Sequence, residues 1–320
     1  ANIGLATIAM QENELDKAVL FLDKILLEDN DNRAALTQKA IVLNKLKQHD
    51  KALLIYNQLI KEDAMPSVLH IERAATYLTL GQLSKAEDDL KYVLKKNKNS
   101  PSINFLMSRV KLAQKQFSEA KLFAEKVINI KSSHYPAILV LGISHYYLKS
   151  FNQSENYLIK YLAAQPDNVA VTILLAKVYL ASKKPEQAIL LLDDLYDREK
   201  NNLNLLLTLK LAYSQTGNHT KSLEMLNQAK KLNADSDYIK KSLILEQLYT
   251  GDMNKIIAEL EAFNPSEKDS AQISSLLIAS YILQGHFDAA EKMLNQLMAV
   301  DKNNAQLYLY QGTIEKYYFR

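Results

Sequence analysis

Six histidines, 36 acidic side chains and no cysteine are what the chain offers for acid–base, metal or nucleophilic chemistry. Such chemistry needs these side chains to converge on one point. His49 and His219 share one phase of the repeat described below, while His70, His134, His145 and His286 fall at other phases, which predicts solvated or packing roles rather than metal ligation. The adjacent carboxylates Asp88–Asp89 and Asp193–Asp194 would point about 100° apart on a helix, so neither pair can face itself across a substrate. Both pairs read as surface charges. Without cysteine there is no disulfide, thiolate metal site or thiol nucleophile, a state compatible with cytosol and periplasm alike. Gly-rich phosphate loops, His-Glu-x-x-His and Gly-x-Ser-x-Gly are also missing from the sequence. The expectation is a protein that is not an enzyme and uses no cofactor or metal.

The 39 basic residues nearly balance the acids and leave a formal charge of +3, which provides no field for nucleic acid. The pairs Lys95–Lys96 and Lys240–Lys241 are too short for a nucleic-acid patch and read as solvated helix faces. Apolar residues at 48% suffice for a continuous core, but no apolar run is long enough to cross a bilayer. Only 7 Gly and 6 Pro are present, too few to punctuate many strands, so helices must dominate.

Those helices recur with a fixed period. Ala18, Ala52, Ala86, Ala120, Ser154, Ala188 and Ser222 stand 34 residues apart, followed in phase by Ile256 and Ala290. Twelve residues before each lies a second series, Ala6, Ala40, Ala74, Ser108, Gly142 and Ala176. Lys210, Ile244 and Ile278 interrupt it before Gly312 resumes it. Two helices that cross closely need small side chains where their axes meet, because a larger one would separate the backbones and open voids. Four residues after the second small position a large apolar residue returns, from Leu22 and Tyr56 to Leu294, with Ala124 as the exception. The second helix of each pair therefore buries one stripe.

A 34-residue helix–turn–helix with these two small positions resembles the tetratricopeptide repeat. Tyr77, Tyr179, Tyr213 and Tyr281 fill a position where that family often has tyrosine. Gly81, Gly217, Gly251 and Gly285 stand at the inter-helix turn, five residues before the second small position rather than the family's two. The family's loop proline survives only as Pro166, and Asn30, Ala64 and Lys98 take its phase elsewhere. The resemblance implies an all-α, right-handed superhelical solenoid: a single array over 1–320, with a partial repeat 1–32, full repeats 33–66, 67–100, 101–134, 135–168, 169–202, 203–236, 237–270 and 271–304, and a partial repeat 305–320. Both ends falling mid-repeat, and the apolar ending Ile314 to Phe319, suggest a fragment of a longer protein. Repeat 237–270 departs furthest: Ile244, Gln247 and Ile256 replace Ala, Tyr and Ala, and Pro265 interrupts its second helix. A local change of curvature is expected there.

The resemblance also implies a site, since the family binds partners in a concave groove lined by first helices. Carried onto this chain, that groove contains Ile71, Phe105, Arg109, Leu139, Ile143, Tyr146, Tyr147, Ile173, Lys177, Leu207, Leu211 and Tyr249, with Leu78, Leu112, Leu180 and Leu245 alongside. Tyr146 and Tyr147, flanked by Arg109 and Lys177, form a candidate hot spot. The same apolar residues also fit plain packing between repeats. A terminal-carboxylate clamp of Lys and Asn, known in some relatives, is not reproduced, since the fifth positions run Thr37, Ile71, Phe105, Leu139, Ile173, Leu207 and Lys241. A protein or peptide partner, as an amphipathic helix or an extended apolar segment, fits this lining.

Three stretches, Phe151 to Leu158, Gln165 to Ala170 and Leu174 to Leu180, are similar to the bacterial tetratricopeptide lipoproteins associated with PEP-CTERM sorting and exopolysaccharide production. Lys184-Pro185-Glu186-Gln187-Ala188 suits the same group. That resemblance implies a periplasmic or outer-membrane-associated scaffold for polysaccharide machinery. A cytosolic peptide-binding adaptor and a carbohydrate-binding accessory module are the alternatives; the lack of Trp weighs against the second.

Overall fold

A computed structural model describes residues 2–62, 67–250, 253–262, 267–300 and 302–318. The readings that rest on Ala64, Gly251, Pro265 and Phe319 lie outside these residues. Among the described residues every regular element is an α-helix, nineteen in number. They form two compact units, Ala1–Asp167 and Asn168–Arg320, divided within one residue of a predicted repeat boundary.

The first unit comprises five helix pairs: α1 (Asn2–Gln11) with α2 (Leu15–Glu28), α3 (Arg33–Lys45) with α4 (His49–Glu62), α5 (Ser67–Thr79) with α6 (Leu83–Lys96), α7 (Pro101–Ala113) with α8 (Phe117–Ile130), and α9 (Tyr135–Tyr147) with α10 (Phe151–Ala164). The second continues with α11 (Val169–Ala181) and α12 (Pro185–Arg198), α13 (Leu203–Gln215) and α14 (His219–Leu232), α15 (Asp237–Thr250) and α16 (Met253–Ala262), α17 (Glu267–Leu283) and α18 (Phe287–Val300), then α19 (Ala305–Tyr318). From α3 to α15 every first helix starts on the first residue of its 34-residue unit. In repeat 237–270 the second helix α16 starts in phase at Met253, and the following α17 begins four residues ahead of the 34-residue period.

Side chains fix where the helices begin. Asn32, Asn168 and Asn202 each accept a hydrogen bond through Oδ1 from the backbone N–H three residues on, at 3.1–3.2 Å. His134 does the same through Nδ1, accepting from the Ala137 N–H at 3.1 Å. Pro101 and Pro185 open α7 and α12, where a missing N–H costs nothing. Inside each pair whose turn is among the described residues, the turn is made by one residue in the left-handed region. Glycine at Gly81, Gly217 and Gly285 matches the reading above, but Asn13, Lys47, Lys115, Lys149 and Lys183 take the same conformation at φ near 60°. The backbone then closes identically: the next residue's N–H reaches the carbonyl five residues back, as in Gln82 to Tyr77 at 2.9 Å and Gln116 to Lys111 at 2.9 Å. Geometry, not glycine, is what repeats.

The predicted crossings are buried. All nine residues of the second small series, from Ala18 to Ala290, are fully inaccessible, and so are Ala6, Ala40, Ser108 and Ala176 of the first. At Gly142 the fit is tightest, since an added Cβ would lie 2.6 Å from Leu158 Cδ2. Where the second small residue is serine it does more than fit. Ser154 Oγ donates to the Gly142 carbonyl at 2.8 Å and Ser222 Oγ to that of Lys210 at 3.2 Å, each twelve residues back. Lys210 itself resolves an apparent violation: its Nζ leaves the crossing and reaches Glu246 Oε1 on α15, 3.2 Å away. Gly312 differs from its series, because it is exposed and an added Cβ there would meet nothing within 4 Å.

Within the first unit, first helices of successive repeats touch one another, α3 with α5, α5 with α7 and α7 with α9; in the second unit α11 meets α13 and α17 meets α19. Among the described residues second helices approach each other less closely, although side chains still meet, as where Gln228 Nε2 of α14 donates to the Tyr196 hydroxyl of α12 at 2.5 Å. First helices thus form a closely spaced row through the first unit from α3 to α9, and in the second unit the pairs α11 with α13 and α17 with α19 do the same.

Candidate functional site

In the first unit the row of first helices carries the predicted groove residues on α5, α7 and α9. Ile71 is half-buried against the α5–α6 core, and Phe105, also half-buried, packs on the core between α8 and α9. Arg109 is exposed, its guanidinium 5.8 Å from the Phe105 ring. Leu139, Ile143 and Tyr146 are half-buried, whereas Tyr147 leaves 56% of its surface open.

Tyr147 does not stand alone. It stacks on Phe117 with ring centroids 4.3 Å apart and planes 9° apart, and meets Tyr146 edge-on at 5.2 Å. Tyr146 in turn leans on Phe151 at 6.2 Å. Phe117 and Phe151 open the second helices α8 and α10, so four rings from three helices make one aromatic ridge. The sequence reading placed the tyrosines but not the two phenylalanines. The signal was the phase, since a ring at the start of a second helix sits thirty residues before the last residue of the next first helix. Burial, with the neighbouring Tyr147, pushes the Tyr146 hydroxyl above its usual range, so it stays a neutral donor.

The second unit presents the remaining predicted residues differently. Ile173 is 5% exposed and Leu180 4%, both locked in the core of α11 to α14, so neither can line a groove. The resemblance assigned them by position, but the packing of α11 turns them inward. Lys177 and Leu207 are half-buried, while Leu211 and Tyr249 are exposed. Tyr249 stacks on His219 at 4.1 Å, the same phase pairing as Phe117 with Tyr147, and Phe287 with Tyr317 repeats it at 4.2 Å.

Two of the charges read as surface features are structural. Asp89 is 5% exposed and accepts from Arg73 Nε at 2.8 Å and Nη2 at 2.7 Å, with His70 Nδ1 2.7 Å away. Asp193, though exposed, accepts from the Tyr213 hydroxyl at 3.3 Å. His145 is buried against Tyr157, and burial together with Lys121 lowers its pKa. Glu246, nearly fully buried, sits 2.7 Å from His219 Nδ1 as well as beside Lys210. Burial pushes its carboxyl up, but hydrogen bonds from His219, Ser214 and Lys210 with the Lys210 charge outweigh that and hold it below the usual range. Among the described residues no group of three such side chains is arranged to hold a metal ion, and no helix is long and apolar enough to cross a membrane.

The tetratricopeptide repeat family model matches residues 148–198 and 179–243. The chain is similar in fold to a tetratricopeptide repeat protein from Parabacteroides merdae, with 16% identity and TM-score 0.54 over 77% of this chain and 97% of that one. It is similar to PilW, a widely conserved type IV pilus biogenesis factor, with 20% identity and TM-score 0.57 over 67% and 99%. The C-terminal part of a tetratricopeptide repeat protein from Cytophaga hutchinsonii gives 14% identity and TM-score 0.56 over 75% and 99%. No curated protein matches the chain. The chain therefore has the tetratricopeptide-repeat fold, with the family's sequence signature legible across 148–243.

Proposed function

We propose that the chain is a non-catalytic scaffold that holds an apolar helical or extended segment of a partner protein against its first-helix rows. The observation that carries this reading is the exposed aromatic ridge of the first unit, where Tyr147 and Arg109 stand open beside a half-buried apolar lining of Phe105, Leu139 and Ile143. Rigid aromatics and arginine lose little entropy when they are covered and contribute most where water is excluded. Leu211, Leu245 and Tyr249 supply an equivalent exposed set in the second unit.

In its finer form the reading places the partner in bacterial envelope machinery for exopolysaccharide production or PEP-CTERM sorting, with the chain on the periplasmic side. The similarity of Phe151 to Leu158 and Leu174 to Leu180 to that lipoprotein group supports it. Affinity capture from separate envelope and cytosolic extracts tests both levels. An Arg109→Glu, Tyr147→Ala, Tyr249→Ala variant of unchanged helicity should lose the partner. Capture of the same partners by parent and variant would refute the first-helix site. Capture from the cytosolic extract alone would replace the envelope scaffold with a cytosolic adaptor.

A further inference from the structure

The second helices of the first unit hold a feature the groove reading does not use. Between α6 and α8, above α7, lies a cleft of about 660 Å³. Its floor is apolar, made by Leu94, the buried Met107 and Phe123, and four exposed lysines, Lys91, Lys95, Lys98 and Lys126, stand around it. Lys95 belongs to the pair taken from the sequence as a solvated face.

The charges of this cleft are unbalanced. Its two acids are already engaged, because the nearly buried Lys111 draws Glu87 to 2.9 Å and Glu119 to 3.1 Å, Lys91 pairs with Glu87 at 2.7 Å and Gln114 Nε2 donates to Glu87 at 2.7 Å, which leaves Lys95, Lys98 and Lys126 as the rim charges not paired with these acids. Five lysines against two glutamates leave an excess of three, equal to the formal charge of the entire chain. The remaining residues sum to no net charge, and the excess at this cleft favours an anionic partner there. An apolar floor inside a basic ring calls for a bulky apolar side chain flanked by carboxylates. Nucleic acid fits it poorly: Lys126 Nζ already lies over the Phe123 ring at 4.9 Å, where a base would stack, and the lysines ring a pocket instead of tracking a backbone.

We propose that this cleft is a second docking site, on the side of the second helices, for an acidic protein segment that inserts one bulky apolar side chain between α6 and α8. It is independent of the first-helix reading.

The test uses the full chain and a fluorescein-labelled peptide of alternating Asp or Glu with Leu or Phe, titrated by anisotropy at two salt concentrations. Comparators are a polyglutamate of equal length and a single-stranded oligonucleotide. The peptide should bind, more weakly as salt rises, and Lys95→Glu, Lys98→Glu, Lys126→Glu should weaken it by about tenfold or more at unchanged helicity and melting temperature. Polyglutamate should bind about tenfold less well, because it lacks the apolar anchor. An Arg109→Glu, Tyr147→Ala variant should bind the peptide as the parent does, which separates this site from the first-helix face. No binding, equal binding by the charge-reversed variant, or equal affinity for polyglutamate would overturn the proposal. So would tighter binding of the oligonucleotide, or self-association of the chain lost on charge reversal, which would make a second copy the occupant.

Discussion

Tyr249 lies flat on His219, with ring centroids 4.1 Å apart and planes 4° apart, while 71% of the tyrosine remains open to solvent. Phe117 with Tyr147 and Phe287 with Tyr317 repeat the arrangement, always thirty residues apart and always with the tyrosine on the exposed side. The earlier ring fixes the later one without hiding it. Tyr147→Phe should leave stability unchanged, since the stack needs only the ring. Tyr147→Ala should cost about 0.5–1.5 kcal/mol in chemical denaturation. Equal effects from the two substitutions would show that the stack contributes nothing.

Gly142 and Gly312 occupy one phase and should respond oppositely to alanine. At Gly142 the new Cβ would strike Leu158 Cδ2 at 2.6 Å and disturb the Ser154 hydrogen bond, so Gly142→Ala should destabilise by about 1–3 kcal/mol. Gly312→Ala meets nothing and should stabilise by up to about 1 kcal/mol through helix propensity. Ala120→Leu, at a fully buried crossing, should behave like Gly142→Ala. Thermal melts of the three variants decide the matter, and a tolerated Ala120→Leu would mean that the crossing is looser than its burial implies.

Four lysines, Lys47, Lys115, Lys149 and Lys183, hold a left-handed backbone at φ of 59–61°. A side chain there costs about 1–2 kcal/mol, which glycine would relieve, less about 0.4–1 kcal/mol for the freer unfolded chain. Each Lys→Gly change should therefore stabilise by about 0.5 kcal/mol. The quadruple variant should show a clearly higher melting temperature, and a lower one would mean that these lysine side chains make stabilising contacts.

Acid should dismantle the Glu87–Lys111 network. Burial raises the Glu87 carboxyl, but hydrogen bonds from Lys91, Lys111 and Gln114, with the Lys111 charge, bring it down to about 2. A carboxyl held below its unfolded value stabilises the fold above that value, an ordinary 4.5, and loses the contribution as pH falls toward 2. Glu246 carries the same sign. Glu87→Gln should cost about 1–3 kcal/mol at pH 7 and flatten the decline in melting temperature between pH 4.5 and 2. An equally steep decline in the variant would remove Glu87 from the acid response.

The fold was legible because it rests on short-range repetition. Alanine at a crossing leaves no alternative reading, and eight first helices, α3 to α15 and α19, start where the 34-residue period puts them. The turn was half legible, since glycine announces a left-handed residue but lysine in the same conformation does not. Long-range polar pairs were not legible. Asp89 is sixteen residues from Arg73 and Lys111 twenty-four from Glu87, and nothing in either local sequence distinguishes these charges from solvated ones. The first-helix positions were read by register, and Tyr147 and Arg109 are exposed there, but a one-dimensional register cannot see that α11 turns Ile173 into the core.

Among the described residues of the first unit, first helices approach their counterparts in the next repeat more closely than second helices do. The row of first helices is in effect the spine of a fan, and the second helices are its ribs. Any flexing of that unit must then alter the gaps between ribs most, and the lysine-ringed cleft between α6 and α8 is one of those gaps. A side chain wedged there would prop those two ribs at a fixed spacing, much as a spacer holds two leaves of a fan.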